Sequence, residues 1–173
     1  MLVVVLGTAY HGIANAVQQA VPKHQPAYVR FDQAQGAPLL EPNVKKVNFP
    51  LLNPTVLERS SYPDTLSGDQ PVRRYFISGN HKAVRLVFKT ASNRFWGIEE
   101  TDWTGAPALK DRSFRHDLGG REFDLYYSGS RLHMVVLKRA GATYWVVNSL
   151  LDDLSNETML AIAKGLKPLT TGK

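Results

Sequence analysis

The chain is 173 residues long, carries a net charge of +6 and contains no cysteine. That length suits one domain with extensions, and the ordinary balance of apolar and charged residues calls for a packed core. Without cysteine there is no disulfide framework, no thiolate nucleophile and no Cys-ligated zinc or iron–sulfur site. Up to Asp69 the basic residues Lys23, Arg30, Lys45, Lys46 and Arg59 are matched by Asp32, Glu41, Glu58, Asp64 and Asp69, so the whole excess lies beyond that point. A basic folded region draws anionic partners such as nucleic acid, phospholipid heads or phosphate-bearing wall polymers.

Met1 to Val21 holds no Lys, Arg, Asp or Glu, and Leu2 to Leu6 is purely aliphatic. Three readings stand here. One is a membrane-anchor or signal-like helix, close to the ~20 residues that span a bilayer, although His11, Asn15, Gln18 and Gln19 interrupt it and no basic flank precedes it. Another is an amphipathic helix packed on the domain through Ile13, Val17 and Val21. The last is a phosphate loop at Gly7 to Gly12, and it fails on spacing, because Ile13 and Ala14 stand where a P-loop needs Lys and Ser/Thr. The anchor reading leads.

Residues 23–45, with Pro26, Pro38 and Pro42 and no apolar period, read as a stiff extended linker following Pro22. Val47 to Leu52 reads as a first strand, kept at an edge by Pro50. Ser60 to Asp69 reads as a loop. Strands with short breaks follow, the mark of an antiparallel meander: Val72–Ile77, then Val84, Leu86 and Phe88 on one side, then Phe95 to Trp103. Phe123, Leu125 and Tyr127 face one side of a further strand, and turns at Ser128-Gly129-Ser130 and Ala140-Gly141 lead into Leu132–Leu137 and Thr143–Asn148. A closing helix is signalled by Ser155 as N-cap, by Leu154 and Met159 as a hydrophobic staple, and by the stripe Met159, Ile162, Ala163 and Leu166. Pro168 marks its end.

The search for chemistry is mostly negative. His11, His24, His81, His116 and His133 share no ligand spacing, so no metal is expected. Glu99, Glu100 and Asp102 read as solvated surface, and Asp152-Asp153 as a solvated approach to the helix N-terminus. No G-x-S-x-G occurs. The aromatic residues Trp96, Trp103, Tyr126 and Trp145, with His133 and the basic Arg121 and Arg131, form the candidate ligand-binding set, since aromatic platforms beside Arg suit sugar rings or unpaired bases. Strand alternation splits these aromatics between two faces, which favours core for at least half of them.

Several short motifs recur together: Asn48-Phe49-Pro50, Trp96-Gly97-Ile98 with Thr101 and Trp103, Ala106-Pro107, Gly120-Arg121, and above all Tyr144-Trp145-Val146-Val147-Asn148 with Leu154-Ser155-Asn156 and Met159-Leu160-Ala161-Ile162-Ala163. On these, Phe49 to Leu169 resembles a C-terminal domain of LytR-CpsA-Psr family envelope proteins of actinobacteria. In that family a membrane-anchored phosphotransferase domain transfers wall glycopolymers to peptidoglycan outside the cell. The resemblance implies an envelope location and an accessory role. The family's pyrophosphate-binding Arg and Asp residues have no counterpart here.

The expectation is therefore an α+β chain: a curved antiparallel sheet of about six to seven strands packed by a C-terminal helix, with an N-terminal helix. Its parts are an apolar segment at 1–22, a linker at 23–45, the sheet-plus-helix domain at 46–169 and a loose tail at 170–173. The expected role is a non-catalytic, membrane-anchored extracytoplasmic domain contacting an anionic wall glycopolymer, a membrane lipid head group or an envelope protein, with nucleic acid disfavoured. A sensor or carrier module holding a lipid or apolar ligand in the curved sheet is the alternative, ahead of a small hydrolase using Glu100 or Asp102. No catalytic residue and no cofactor is expected.

Overall fold

The computed structural model describes residues 25–64 and 72–170, and within them the alternation of apolar residues becomes one antiparallel sheet. The expected apolar segment at 1–22, its helix included, lies outside the described residues. The sheet is built from β4 (Tyr62–Pro63), β5 (Val72–Ile77), β6 (His81–Lys89), β7 (Phe95–Thr101), β8 (Phe114–Asp117), β9 (Glu122–Ser128), β10 (Arg131–Arg139) and β11 (Ala142–Val147). Their order across the sheet is β4 and β5, then β6, β7, β11, β10, β9 and β8. β4 and β5 share one side of β6, opposite Phe88–Lys89 and His81–Leu86 respectively. Eight strands thus fill seven positions, and the chain is α+β, as expected.

The hairpin from β10 to β11 turns on two residues, Ala140 and Gly141, both with positive φ. That is the geometry whose twist matches the flanking strands. β7 and β8 lie far apart in the sheet, so residues 102–113 must cross one face to join them. Ala106 and Leu109 are buried on the way.

The other face carries the main core. Val84, Leu86, Phe88, Ile98, Phe123, Leu125, Val135, Leu137, Tyr144 and Val146 project from the strands. Helix α2 (Asn156–Lys164) lies across β10 and β11 and presents Met159, Ile162 and Ala163 to them, with Leu166 beyond its end. Ser155 caps it by accepting from the Thr158 amide, an interaction worth about 1 kcal/mol. Leu154 and Met159 are both buried, as a staple requires. The helix ends at Lys164, short of the expected stop at Pro168. Leu166–Pro168 forms β12, paired antiparallel with β2 (Leu52–Pro54).

The N-terminal part corrects the expected spacer. Tyr28–Arg30 forms β1, paired with β3 (Val56–Glu58). Gln33–Leu40 forms α1, capped by the Asp32 carboxylate accepting from the Ala34 amide, and a 3-10 turn follows over Glu41–Lys46. Pro38 inside α1 removes one helical donor, and tertiary burial compensates. Leu40 is inaccessible, and a Cβ on Gly36 would stand 2.1 Å from Asn53 Oδ1, so only glycine fits that approach. Val47–Leu52 is not a strand, since β2 begins only at Leu52; Pro50 instead accepts the Tyr144 hydroxyl at 2.6 Å. The stretch expected as loop from Ser60 contains β4, while residues 65–69 lie outside the described residues.

Glu100 is the second correction. It was expected among solvated acids, yet it faces inward between Val84 and Tyr144 and is fully buried. Its Oε2 accepts from the Leu52 amide at 2.8 Å, joining the N-terminal layer to the sheet, while Oε1 meets no donor among the described residues. Burial pushes its carboxyl well above the ordinary value, and the Leu52 amide only partly pulls it back. An acid raised on folding is most favourable below its unfolded value and costs stability as pH rises toward its folded one. Glu100→Gln is therefore expected to raise stability at pH 7 by on the order of 1 kcal/mol or more and to remove a decline between acid and neutral pH. Denaturant unfolding of both proteins across that range measures it; parallel curves would show Glu100 to be solvated.

Candidate functional site

The seven candidate residues do not converge. Trp96 stacks on Phe88 in the main core, 4.4 Å between ring centroids, and its Nε1 donates to Ser61 Oγ. Trp103, Tyr126 and Trp145 share the opposite face, where they pack with Ala106, Leu109, Met134 and Val136 beneath the crossing connection. Tyr126 donates its hydroxyl to the Leu109 carbonyl, and Trp103 stacks on His81, whose Nδ1 lies 3.1 Å from Asp102 Oδ1. Trp145 Nε1 has no acceptor among the described residues. These rings form an internal cluster rather than an open shelf.

The remaining three serve other ends of the fold. His133 sits at an irregularity in β10, exposed, with Nδ1 2.8 Å from Asp152 Oδ1. Arg131 is exposed at the start of β10. Arg121 donates to the Lys164 and Leu166 carbonyls, so it satisfies the C-terminal end of α2, where a cation also opposes the helix dipole. Its guanidinium is held slightly below its ordinary pKa by partial burial and by Arg139. Glu100 and Asp102, the acids of the hydrolase reading, and their neighbour Glu99 diverge: Glu100 points into the core, Glu99 follows the opposite face, and Asp102 accepts from the Lys82 amide. They form no acid pair across a cleft.

A different cluster emerges at the far edge of the sheet. Asp124 in β9 is 3% exposed, although it lies between Phe123 and Leu125 on the face away from α2. β8 pairs Arg115 directly with it, and β10 brings Lys138 diagonally alongside. Arg115 Nε reaches Asp124 Oδ1 at 2.7 Å, Lys138 Nζ reaches Oδ2 at 3.2 Å, and Arg112 Nε, delivered by the crossing connection, lies 3.5 Å from Oδ1. Arg115 also meets Glu122 at 3.0 Å. The three cations keep 40–45% of their side-chain surface in solvent.

Burial alone would raise the Asp124 pKa; hydrogen bonds from Arg115 and Lys138 and their charges outweigh that and hold it below the ordinary carboxylate value. The same contacts raise Arg115. An acid locked in its ionised form cannot donate a proton at neutral pH, which argues against general-acid chemistry here. What the arrangement does provide is two guanidinium forks and an ammonium gathered on a buried anchor, with outward donors suited to phosphate or carboxylate groups. Sequence reasoning missed it because Phe114–Asp117 shows no clean alternation, so β8 and its register went unread.

A carboxylate depressed on folding stabilises above its unfolded pKa and loses that contribution as pH falls through the folded value. Asp124→Asn is expected to cost about 1–2 kcal/mol at pH 7, limited because the cations left behind stay solvated, and to cost less near pH 2, below the ordinary carboxylate range. Thermal unfolding at both pH values checks this, and an equal loss at each would assign Asp124 a packing role instead. No family model, no curated protein and no solved structure matches the chain.

Proposed function

We propose that this chain is a non-catalytic extracytoplasmic envelope domain that binds an anionic wall glycopolymer through Arg112, Arg115 and Lys138. The observation that carries the reading is the convergence of these half-exposed cations on buried Asp124. Asp124 fixes their spacing without neutralising them all, so a polymer of repeated phosphate groups meets donors already oriented. The excess positive charge beyond Asp69 adds a longer-range attraction of the same sign. The resemblance of Phe49–Leu169 to accessory domains of LytR-CpsA-Psr envelope proteins points to the same compartment and the same kind of ligand.

The carrier reading draws no support from the packing. One face of the sheet is filled by the main core beneath α2, and the other carries the Trp145 cluster under the connection. A lipid tail would need one of those faces open.

The test is co-sedimentation of the full-length protein with wall material that retains its phosphate-bearing polymer, beside wall stripped of it. Binding should require the polymer and weaken steeply between about 0.05 and 0.5 M salt. Arg112→Glu and Lys138→Glu, which leave Arg115 on Asp124, should each lower affinity several-fold and flatten the salt dependence. Salt-independent binding, or equal binding to stripped wall, would overturn the proposal. Arg121 is unsuited to this test, because its reversal would uncap α2.

A further inference from the structure

The turn after β11 is built to hold two leucines in water. Leu150 is 98% exposed and Leu151 65%, with Phe95 half-exposed beside them. An adjacent pair this exposed would ordinarily belong to a loose loop, yet this one is braced throughout. Asn148 uses its whole amide: Oδ1 accepts from the Ser149 and Leu154 amides, and Nδ2 donates to the Leu132 and Leu154 carbonyls. Ser149 Oγ bonds Asp153 Oδ2 at 2.7 Å and accepts from the Asp153 amide. Asp152 takes a φ of +52°, an uncommon conformation for a residue with a side chain, and its carboxylate is tied to His133. Arg94 reaches across to Asp153 at 3.5 Å.

Three observations select the occupant. The exposed apolar patch is on the order of 300 Å², well short of the roughly 800 Å² each partner contributes to a stable protein complex. It protrudes, with only a shallow groove of about 150 Å³ between Arg94, Phe95 and the leucines, so it suits a deformable surface. Finally, the described chain begins at this same end. Arg59 holds Gln25 and Pro26, and the next residue, Ser60, accepts from Ala91 in the turn that leads to Arg94 and Phe95. The uncharged stretch Met1–Val21 is covalently joined just ahead of that point. The flanking cations Arg59, Lys89 (its ammonium 5.4 Å from the Phe95 ring centre), Arg94 and Arg131 outnumber the acids Asp152, Asp153 and Glu58, which are held by His133, by Arg94 and by Ser60 and Ser61 respectively.

We infer that the Leu150–Leu151 turn, with Phe95, is a membrane-insertion tip that seats this end of the sheet in the headgroup region of a bilayer. The inference rests on the envelope reading above. Apolar tips flanked by cations bind such interfaces through buried area plus attraction to anionic lipid, and a tether in the same membrane raises their effective concentration.

The absence of native cysteine makes the experiment direct. Leu150→Cys, Leu151→Cys and, at the opposite, exposed end of β10, Arg139→Cys are labelled one at a time with an environment-sensitive dye in the full-length chain. Each is mixed with phosphatidylglycerol–phosphatidylcholine vesicles, floated, and quenched with nitroxide-bearing lipids. Several-fold quenching at 150 and 151, with none at 139, is the expected result. Protein that floats with all three labels unquenched overturns the tip while leaving the membrane location standing. Protein that fails to float overturns both. A concentration-dependent shift at 150 without vesicles assigns the leucines to self-association and overturns the tip as well.

Discussion

The position of β11 between β7 and β10 is the constraint on which the rest of the structure depends. A strand paired on both sides and buried on both faces needs a cover above and below it. Tyr144 and Val146 face one way and Thr143 and Trp145 the other, and all are buried. Helix α2 supplies one cover. The other has to come from the chain that precedes β8, because β7 already occupies one side of β11 and the meander β8–β11 must start from the opposite edge. The crossing of residues 102–113 is thus a consequence of topology, and it carries Arg112 to Asp124. At the other end of β11, Asn148 ties the outgoing chain to β10, which fixes the turn that displays Leu150 and Leu151.

Two buried carboxylates on this sheet show how environment decides ionisation. Glu100 lies on the helix side among apolar groups with one backbone donor, and its charged form is disfavoured. Asp124 lies on the other side beneath three cations, and its charged form is favoured. Their contributions to stability therefore run in opposite directions with pH, that of Glu100 weakening as pH rises above the ordinary carboxylate range and that of Asp124 being lost as pH falls below it. Neither environment resembles an acid–base pair tuned for turnover, since the two groups sit on opposite faces with the sheet between them.

Much of the fold was legible in the sequence, for identifiable reasons. From Phe123 to Val147 the alternation of Phe123, Leu125 and Tyr127 and the apolar runs Leu132–Leu137 and Tyr144–Val147 are separated by turns that carry Gly, so these strands could be read from the chain alone. Ser155, Leu154 and Met159 specified the closing helix locally. What failed was whatever depended on partners distant in sequence. Pro38 reads as a breaker, and only burial of Leu40 and the Gly36–Asn53 approach hold α1 in place. Glu99 and Glu100 are alike as residues; alternation says that one faces inward but not which face is covered. The aromatic residues were recognised as a set, yet the crossing connection that buries them has no periodicity of its own. Asp124 acquires its meaning only from the register of β8, and Leu150–Leu151 reads as the start of a loop until its exposure is seen.

The two surfaces are separated by more than half the length of one strand. β10 starts at Arg131, on the side of the leucine turn, while the three cations converge on Asp124, which pairs with Val136, so five residue steps of ~3.3 Å put roughly 16 Å between them. A domain seated by its leucine end holds Arg112, Arg115 and Lys138 at about that height above the headgroups. Fixed lipid charge is screened over about 8–10 Å at physiological salt, so the cluster lies outside the membrane's own field. Cations placed near the bilayer would be saturated by anionic lipid; placed roughly 16 Å away, beyond the screening length, they would be left for a ligand that comes from the wall. On the two proposals made above, the separation along β10 would let one basic domain hold both a lipid surface and a soluble polyanion without the two competing.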